Sequence, residues 1–234
     1  MEHLPQILKP TEKAIKVCTD HMLLGGVVAI PTETVYGLAA EYGNRVGVNL
    51  VYKIKNRPKN KPLIVHVEDV NMASDFVDIN SDTEKIMSFF WPGPLTLILK
   101  KTKKETIAIR SPKHQVCKQV FKFLKKPFVA PSANPSGYIS PTSAQHVYND
   151  FKHSSTHNKI LILDGGVCST GLESTILDLT GGLPTIVRPG VINQQEIEAV
   201  IGRVLNRKTT IQTNSPGTSL KHYSPKKPTY FVKG

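Results

Sequence analysis

Hydroxyl side chains near the start of the chain could hold a small polar ligand. Thr32 and Thr34 stand in the stretch Pro31-Thr32-Glu33-Thr34-Val35-Tyr36-Gly37-Leu38, which directly follows an apolar run. Threonine hydroxyls both donate and accept hydrogen bonds, so they suit a ligand with mixed polar groups. From this stretch alone an ordinary turn capped by threonines is the simpler interpretation.

Cations are concentrated in the next polar stretch. Lys55, Arg57, Lys59 and Lys61 fall within seven residues, and Pro58 and Pro62 lie among them. Proline disfavours helix in the residue before it, which keeps this backbone extended. Arginine can chelate a phosphate with two parallel hydrogen bonds, while lysine acts as a point charge. The prolines and the apolar strand that follows favour a fixed anion cradle over a solvated basic loop. The P-loop pattern GxxxxGK[ST] is absent.

Three further stretches have the same polar character. Arg110 ends the alternating run Thr106-Ile107-Ala108-Ile109, where it either points inward to a carboxylate or phosphate or lies on an edge strand in solvent. The loop 130–142 is rich in small hydroxyls and precedes a predicted helix, which suits phosphate oxygens. A serine nucleophile is a rival there, but no GxSxG occurs and no histidine is near in sequence. Ser174 and Arg188-Pro189-Gly190 form the last stretch.

His66 lies inside a short alternating strand. A lone strand histidine is more often a core residue with its hydrogen bonds satisfied than a ligand contact.

Alternating and helical apolar patterns predict the elements that position these stretches. Strands are predicted over 27–30, 63–67, 95–99, 106–109, 128–130, 160–163, 174–179 and 185–187, and helices over 11–21, 46–55, 81–89, 116–124, 142–151 and 193–205. The residues 36–38 are predicted as loop. Capping boxes are predicted at Ser81-x-x-Glu84 and Asn193-x-x-Glu196. Several strands follow one another without a helix, so we expect an α/β fold (α+β-like) with a twisted mixed parallel/antiparallel sheet and helices packed on its faces.

Composition narrows the class of protein. The chain has 234 residues, with 30 Lys and Arg against 18 Asp and Glu, a net charge of +12. This excess suits a polyanionic partner such as a nucleotide, a nucleic acid or an anionic membrane. Cys18, Cys117 and Cys168 form no CxxC pair, so we expect free buried thiols and no zinc site. We find no membrane span and no targeting segment, and therefore expect a cytoplasmic protein.

Taken in order, the motifs resemble one family. They are PTETVYGL, KxRPxxxPL at 55–63, the IVH at 64–66, WPGPLTL at 91–97, TIAIR, APSAN followed by SG and SPT, ESTILD, and RPG. Together they resemble the YrdC-like threonylcarbamoyl-AMP synthases over about residues 10–205. The resemblance implies the YrdC-like fold and the reaction of L-threonine, bicarbonate and ATP to threonylcarbamoyl-AMP and pyrophosphate. It further implies that a partner transferase delivers the product to tRNA.

The resemblance also implies roles for individual residues. It places threonine near Thr34, His66, Arg110, Ala130 and Ser174. It places ATP near Arg57, Lys61, Thr106, Ser132, Asn134, Ser140, Arg188 and Tyr223, with Tyr223 as a lid. Lys55 and Arg57, together with Lys61, are expected to stabilise developing charge and the pyrophosphate leaving group. Mg²⁺ is implied as an ion bound through the ATP phosphates, without a dedicated metal site in the protein.

The tail resembles the linker of the longer family members. Residues 215–225 read SPGTSLKHYSP, which in those proteins leads to a second, Rossmann-like domain. We therefore predict a catalytic domain over 10–206 and a linker or C-terminal arm over 207–234. On this expectation the second domain is missing, whether the chain is naturally short or truncated.

Three alternatives stay open on the sequence. A tRNA- or double-stranded-RNA-binding module without catalytic activity would use the +12 charge and need no threonine. A carbamoyl-transfer domain, as in hydrogenase-maturation proteins of the same fold, would require acylphosphatase and zinc-finger segments that we do not find. The third alternative is a chain that folds but is inactive without its second domain.

Overall fold

A single mixed sheet organises the described part of the chain. The computed structural model describes residues 5–101, 105–154 and 160–206. Within them the sheet has eleven strands in the order β1-β8-β2-β3-β7-β4-β6-β5-β9-β10-β11. In chain order the strands are β1 (Gln6–Leu8), β2 (Val27–Ile30), β3 (Gly37–Glu41), β4 (Val65–His66), β5 (Leu95–Lys100), β6 (Thr106–Arg110), β7 (Phe128–Val129), β8 (Ile160–Leu163), β9 (Thr175–Asp178), β10 (Thr185–Arg188) and β11 (Leu205–Asn206). Parallel and antiparallel neighbours mix along the sheet, which confirms the expected fold class.

Seven helices accompany these strands among the described residues. They are α1 (Glu12–Leu23), α2 (Arg45–Lys55), α3 (Val70–Ser74), α4 (Ser81–Phe90), α5 (Gln115–Leu124), α6 (Ala144–Phe151) and α7 (Gln194–Ile201). Side-chain oxygens accept hydrogen bonds from first-turn amides and so fix several starts, as Thr11 does for α1 and Asn44 does for α2.

One face of the sheet is covered from β8 to β10. Val27 and Ala29 of β2 point to this face, and they join a core with Leu97, Leu177 and Ile186 of the distant strands. Helices α2, α3, α4, α6 and α7 contribute buried apolar residues to the same core. Burying this continuous layer is the main stabilising contribution to the fold.

The other face is covered only in part. Val28 and Ile30 of β2 join a second core with α1 and α5, near β8, β3 and β7. Over β6, β9 and β10 a smaller cluster of Ala108, Ile176 and Val187, with Ile64, contains no helix residue among the described residues. Helices therefore cover only part of this face.

Most sequence-based elements are confirmed, but some details were wrong. Residues 37 and 38 begin strand β3 instead of lying in a loop, because Gly37–Glu41 is buried throughout and pairs with both β2 and β7. The cap of α4 is Asn80, whose Oδ1 accepts from the Thr83 amide, and not Ser81. The last helix ends at Ile201, because Gly202 leaves the helix at φ 81° and β11 follows. The capping box at Asn193 is confirmed.

Two features of the described residues bear on the class of protein. Their helices are all too short or too polar to cross a bilayer. Cys18, Cys117 and Cys168 are buried free thiols, as expected. Burial raises the pKa of Cys18 to about 12, which keeps that thiol protonated and unreactive.

Candidate functional site

An open cleft gathers many of the residues expected to bind substrates. It is open to solvent and has a cavity volume of about 60 Å³. Of the expected residues it is lined by Thr34, Arg57, His66, Arg110, Ala130, Ser132, Ser174 and Arg188. These residues are spread over more than 150 positions of the chain, so only the strand order brings them together.

Adjacent strand ends place the first group of side chains. His66 ends β4 and Arg110 ends β6, and the two residues are direct partners in the parallel β4–β6 pair. Thr34 lies in the turn between β2 and β3, and Ala130 follows β7 with its amide bonded to the Ile64 carbonyl. The strand ends thus hold one polar pocket on rigid elements.

Arg110 is buried and held from three sides. Its Nη2 lies 2.6 Å from Oε1 of Glu33, its Nη1 donates to Thr34 Oγ1 at 3.0 Å, and its Nε donates to the Gly93 carbonyl at 3.2 Å. A guanidinium has five N–H donors, and these contacts with described residues use three of them. Two N–H groups therefore remain for a ligand. The arginine thus points inward with a carboxylate partner, the first of the two arrangements that the sequence allowed.

The hydroxyl of Thr34 has a fixed hydrogen-bond polarity. Thr32 Oγ1 donates to the Val35 carbonyl at 2.7 Å, so its single proton is used there. In the 2.8 Å contact between the two threonine hydroxyls, Thr34 is therefore the donor. Thr34 Oγ1 already accepts from Arg110, and its remaining lone pair can accept an N–H or O–H from a ligand.

His66 is a neutral hydrogen-bonding group in this cleft. Its ring stacks on Phe128 with centroids 5.3 Å apart, and Nδ1 lies 3.3 Å from the Ile64 carbonyl. Burial, reinforced by the nearby Arg110 charge, lowers the pKa of His66 to about 3. The carbonyl beside Nδ1 assigns the proton to that nitrogen, which leaves Nε2 as an acceptor.

A second buried arginine lies in the cleft. Arg188 Nη1 lies 2.6 Å from Glu173 Oε2, and Nη2 donates to Ser174 Oγ at 3.0 Å. Both Nε and Nη2 also donate to the Ser174 carbonyl, at 3.1 and 2.8 Å. The other carboxylate oxygen of Glu173 accepts from Ser140 Oγ at 2.9 Å. This half of the cleft combines a guanidinium with hydroxyls, a set that suits phosphate oxygens.

Arg57 stands at the cleft edge on the loop that follows α2. The helix ends at Asn56, which adopts the left-handed conformation at φ 49°. Arg57 Nη2 donates to the Pro62 carbonyl at 3.0 Å and Nε to the Lys61 carbonyl at 3.2 Å. The guanidinium therefore braces its own proline-rich loop while lining the cleft, and binding of an anion there stays a prediction.

Lys55 lies behind the cleft instead of lining it. The side chain is buried, and Nζ donates to the Ser132 carbonyl and, at 2.5 Å, to the Asn134 carbonyl. Burial lowers the pKa of Lys55 to about 7. In this position the amine braces the loop that carries Ser132, and direct contact with a phosphate remains a prediction.

Four other expected ATP contacts lie away from the cleft lining or outside the described residues. Asn134 is buried, with Nδ2 bonded to the Pro135 and Tyr138 carbonyls. Ser140 is bonded to Glu173 behind the cleft. Thr106 is exposed at the far end of β6, four residues from Arg110, a span of about 13 Å along a strand. Tyr223 lies outside the described residues.

Lys61 also does not line the cleft. Its backbone carbonyl accepts from Arg57 and from the Tyr52 hydroxyl, the latter at 3.1 Å. Contact of its side chain with a phosphate remains a prediction.

Two carboxylates were missed by the sequence reasoning. Glu33 and Glu173 each pair with one of the buried arginines, and Glu173 lines the cleft. The sequence contained a usable signal, since an inward arginine needs an acidic partner and each glutamate stands directly before an expected site hydroxyl.

Comparison with known proteins gives these motifs a family. A family model described as Telomere recombination (Sua5, YciO, YrdC) matches residues 21–190. The chain is 36% identical to threonylcarbamoyl-AMP synthase of Pyrococcus abyssi over 239 residues, which covers 95% of this chain and 69% of that protein. It is 40% identical to the Bacillus subtilis protein of the same name, with 89% of this chain and 63% of that protein covered.

One solved structure is similar to this chain in both fold and sequence. The crystal structure of P. abyssi Sua5 complexed with L-threonine matches with a TM-score of 0.85 and 35% identity, over 95% of this chain and 68% of that one. The chain thus spans about two thirds of the length of these relatives. The motif order, the mixed sheet and these matches lead to one conclusion: the chain belongs to the Sua5/YciO/YrdC family.

Proposed function

We propose that this chain is a threonylcarbamoyl-AMP synthase, a nucleotidyltransferase that converts L-threonine, bicarbonate and ATP to threonylcarbamoyl-AMP and pyrophosphate. The observation that carries the proposal is one cleft with two buried arginines, Arg110 beside His66 and Arg188 beside Ser174. Support also comes from relatives that carry this name and from the relative solved with L-threonine.

The Arg110 pocket suits threonine. The two N–H groups left on Arg110 would clamp the substrate carboxylate. Thr34 Oγ1 can accept from the substrate amine or hydroxyl, and so can His66 Nε2. With a pKa near 3, His66 serves as a hydrogen-bond acceptor and not as a general base at neutral pH. His66 thus orients the amine through a hydrogen bond and does not take up its proton.

The other half of the cleft suits the triphosphate. Arg57, Ser132 and Arg188 would contact phosphate oxygens, and Lys55 would keep the Ser132 loop in place. Close placement of the two substrates and fixed positive charge account for catalysis without a covalent enzyme intermediate.

The reaction then proceeds in two bond-forming steps. The threonine ammonium first gives a proton to solvent. Its neutral nitrogen then attacks the carbon of bicarbonate and gives the carbamate with loss of water, or attacks CO₂ derived from bicarbonate and gives the carbamate with release of a second proton. A carbamate oxygen next attacks the α-phosphorus in line, and the bond to the bridging oxygen breaks to release pyrophosphate. Arg57, at the edge of the cleft, would stabilise the charge that develops on that leaving group.

Magnesium ion would accompany ATP through the phosphate oxygens. The described residues contain no group of three His, Cys, Asp or Glu side chains that could hold a metal ion. The carboxylates Glu33 and Glu173 are engaged with arginines. The described residues thus do not fit a protein-held magnesium site, and the ion's ligands would come from the nucleotide.

Pyrophosphate release tests the proposal. Wild-type protein with ATP and bicarbonate is expected to release pyrophosphate on addition of L-threonine, and much less with L-serine. Arg57→Ala should lower turnover at least about tenfold while the fold survives, because it removes a charge-assisted contact. Lys53→Ala, an exposed cation on α2, is the matched control and should keep wild-type rates. Threonine-independent release, or none from folded protein, would contradict the proposal.

We further propose that this protein contacts tRNA directly and supplies a tRNA threonylcarbamoyl-transferase in the cytoplasm. The supporting observation is a basic helix face. Residues 106–149 include no Asp or Glu, and Lys118, Lys122 and Lys125 of α5 and its cap are exposed on one side of that helix. Such a face fits a phosphate backbone.

A further inference from the structure

The two buried arginines of the cleft are held in the same way. In each case a glutamate and the hydroxyl residue directly after it bind one guanidinium. Glu33 and Thr34 hold Arg110, with contacts of 2.6 and 3.0 Å. Glu173 and Ser174 hold Arg188, also with contacts of 2.6 and 3.0 Å. The clusters come from unrelated parts of the chain, a β2–β3 turn and the segment before β9.

Each glutamate also ties its arginine to a second segment of the chain. Glu33 Oε2 accepts from the Lys113 amide at 3.0 Å, in the segment that follows β6. Glu173 Oε1 accepts from Ser140 at 2.9 Å, in the loop that also carries Ser132. In both carboxylates, therefore, one oxygen contacts a guanidinium and the other accepts a hydrogen bond from a second segment of the chain.

The burial of these groups makes the pairs necessary. All four paired residues are buried. The exposed fraction is 8% for Glu33 and for Glu173, 5% for Arg110 and 7% for Arg188. A buried guanidinium without a counter-charge is costly, and breaking a buried pair by removing one partner leaves that cost in place. The pairs also fix the arginine rotamers before any ligand arrives, which reduces the entropy lost on binding.

We propose that Glu33 and Glu173 are positioning residues with separate duties, Glu33 for threonine and Glu173 for ATP. Neither glutamate touches the reacting atoms in this scheme. Glu33 orients Arg110 and, through it, Thr34 in the threonine pocket. Glu173 orients Arg188 and Ser140 toward the triphosphate. The inference rests on the proposed function for the assignment of the two halves of the cleft.

Two isosteric variants test this division. Glu33→Gln should raise KM or Kd for L-threonine about tenfold or more and leave the value for ATP within about twofold. Glu173→Gln should do the reverse. Glu41→Gln is the matched control, because Glu41 is also buried and lies 3.9 Å from Lys126, but does not line the cleft. It should lower stability without changing either constant.

Calorimetric titration with L-threonine alone and with ATP alone keeps the inference separate from the proposed function. If the wild type binds both ligands but releases no pyrophosphate, the proposed function fails and the division can still be read from the binding constants. If the wild type is active and each Gln variant weakens both ligands equally, or neither, the inference is overturned while the function stands. Glu33→Asp and Glu173→Asp, which keep the charge on a shorter side chain, should restore part of the lost affinity only for the ligand concerned.

Discussion

His66 shows how burial converts a titratable side chain into a fixed hydrogen-bonding group. Its ring stacks on Phe128, and burial together with the nearby Arg110 charge disfavours the charged imidazolium. The pKa near 3 therefore lies well below the ordinary value of 6.5. An acceptor that does not protonate keeps the threonine pocket in one hydrogen-bonding state across physiological pH.

Because His66 stays neutral in the native protein, the free energy of unfolding should fall as the pH is lowered. Between pH 6.5 and pH 3 the unfolded chain binds a proton at His66 and the native protein does not, so stability falls as pH decreases through this window. His66→Phe removes the titration and keeps a ring beside Phe128. Between pH 7 and pH 5 the wild type should lose about 2 kcal/mol more unfolding free energy than the variant.

Urea unfolding at the two pH values measures this difference, and the histidines common to both proteins cancel in the comparison. Equal losses would show that His66 is not held neutral. At pH 7 the same variant should bind L-threonine more weakly, because the Nε2 acceptor is gone.

At the scale of elements, the cleft depends on close backbone approach between β9 and the segment after β10. A Cβ on Gly190 would lie 2.4 Å from the Thr175 nitrogen and 2.5 Å from the Glu173 carbonyl oxygen. Backbone atoms cannot rotate away as a side-chain end can, so a larger residue would push the two segments apart. Glycine at 190 is thus what allows Arg188 to reach Glu173 and Ser174.

Gly190→Ala should therefore affect both stability and nucleotide binding. We expect a loss of about 1–3 kcal/mol in unfolding free energy and a raised KM for ATP, with that for L-threonine little changed. Gly182→Ala is the control, since no atom lies within 4 Å of a Cβ there, and it should change stability by less than about 0.5 kcal/mol. Equal stability of the two variants would contradict the close approach.

At the scale of the whole molecule, the net charge of +12 is unevenly placed. Helix α5 buries Val116, Val120 and Leu124 against α1 and the sheet, which leaves its lysines on the outer side. No residue of α5 lines the cleft, so a nucleic acid bound to the lysines of α5 would not need to enter the proposed substrate pocket. Charge outside the pocket can therefore serve a macromolecular partner.

Salt-dependent tRNA binding tests that surface. Replacing Lys118, Lys122 and Lys125 by glutamine should weaken binding of an unmodified tRNA transcript and reduce the slope of log K against log salt by about 2–3. Glutamine at Lys53, Lys85 and Lys100, which are exposed on α2, α4 and β5, removes the same charge elsewhere. Equal effects of the two triple variants would mean that net charge alone matters, and no effect of either would remove α5 as the contact.

The sequence by itself determined the motifs, most elements and the family. Local patterns were sufficient because strand alternation, helix periodicity and capping act over a few residues, as at Thr11 and Asn193. Strand β3 escaped this reasoning, since its run of Gly, Leu and Ala becomes a strand only by pairing with β2 and β7. Pairing of that kind depends on neighbours far away in the chain.

Only the tertiary structure decided how the site residues meet. It placed Arg110 beside His66 through the β4–β6 pair, placed Lys55 behind the cleft, and showed that Glu33 and Glu173 hold the arginines. The physical reason is that the partner of a buried charge can come from any part of the chain. The positions of Glu33 and Arg110 in the sequence therefore do not predict their 2.6 Å contact. The chemistry of the residues was legible in the sequence, while their pairing was set by the order of the strands.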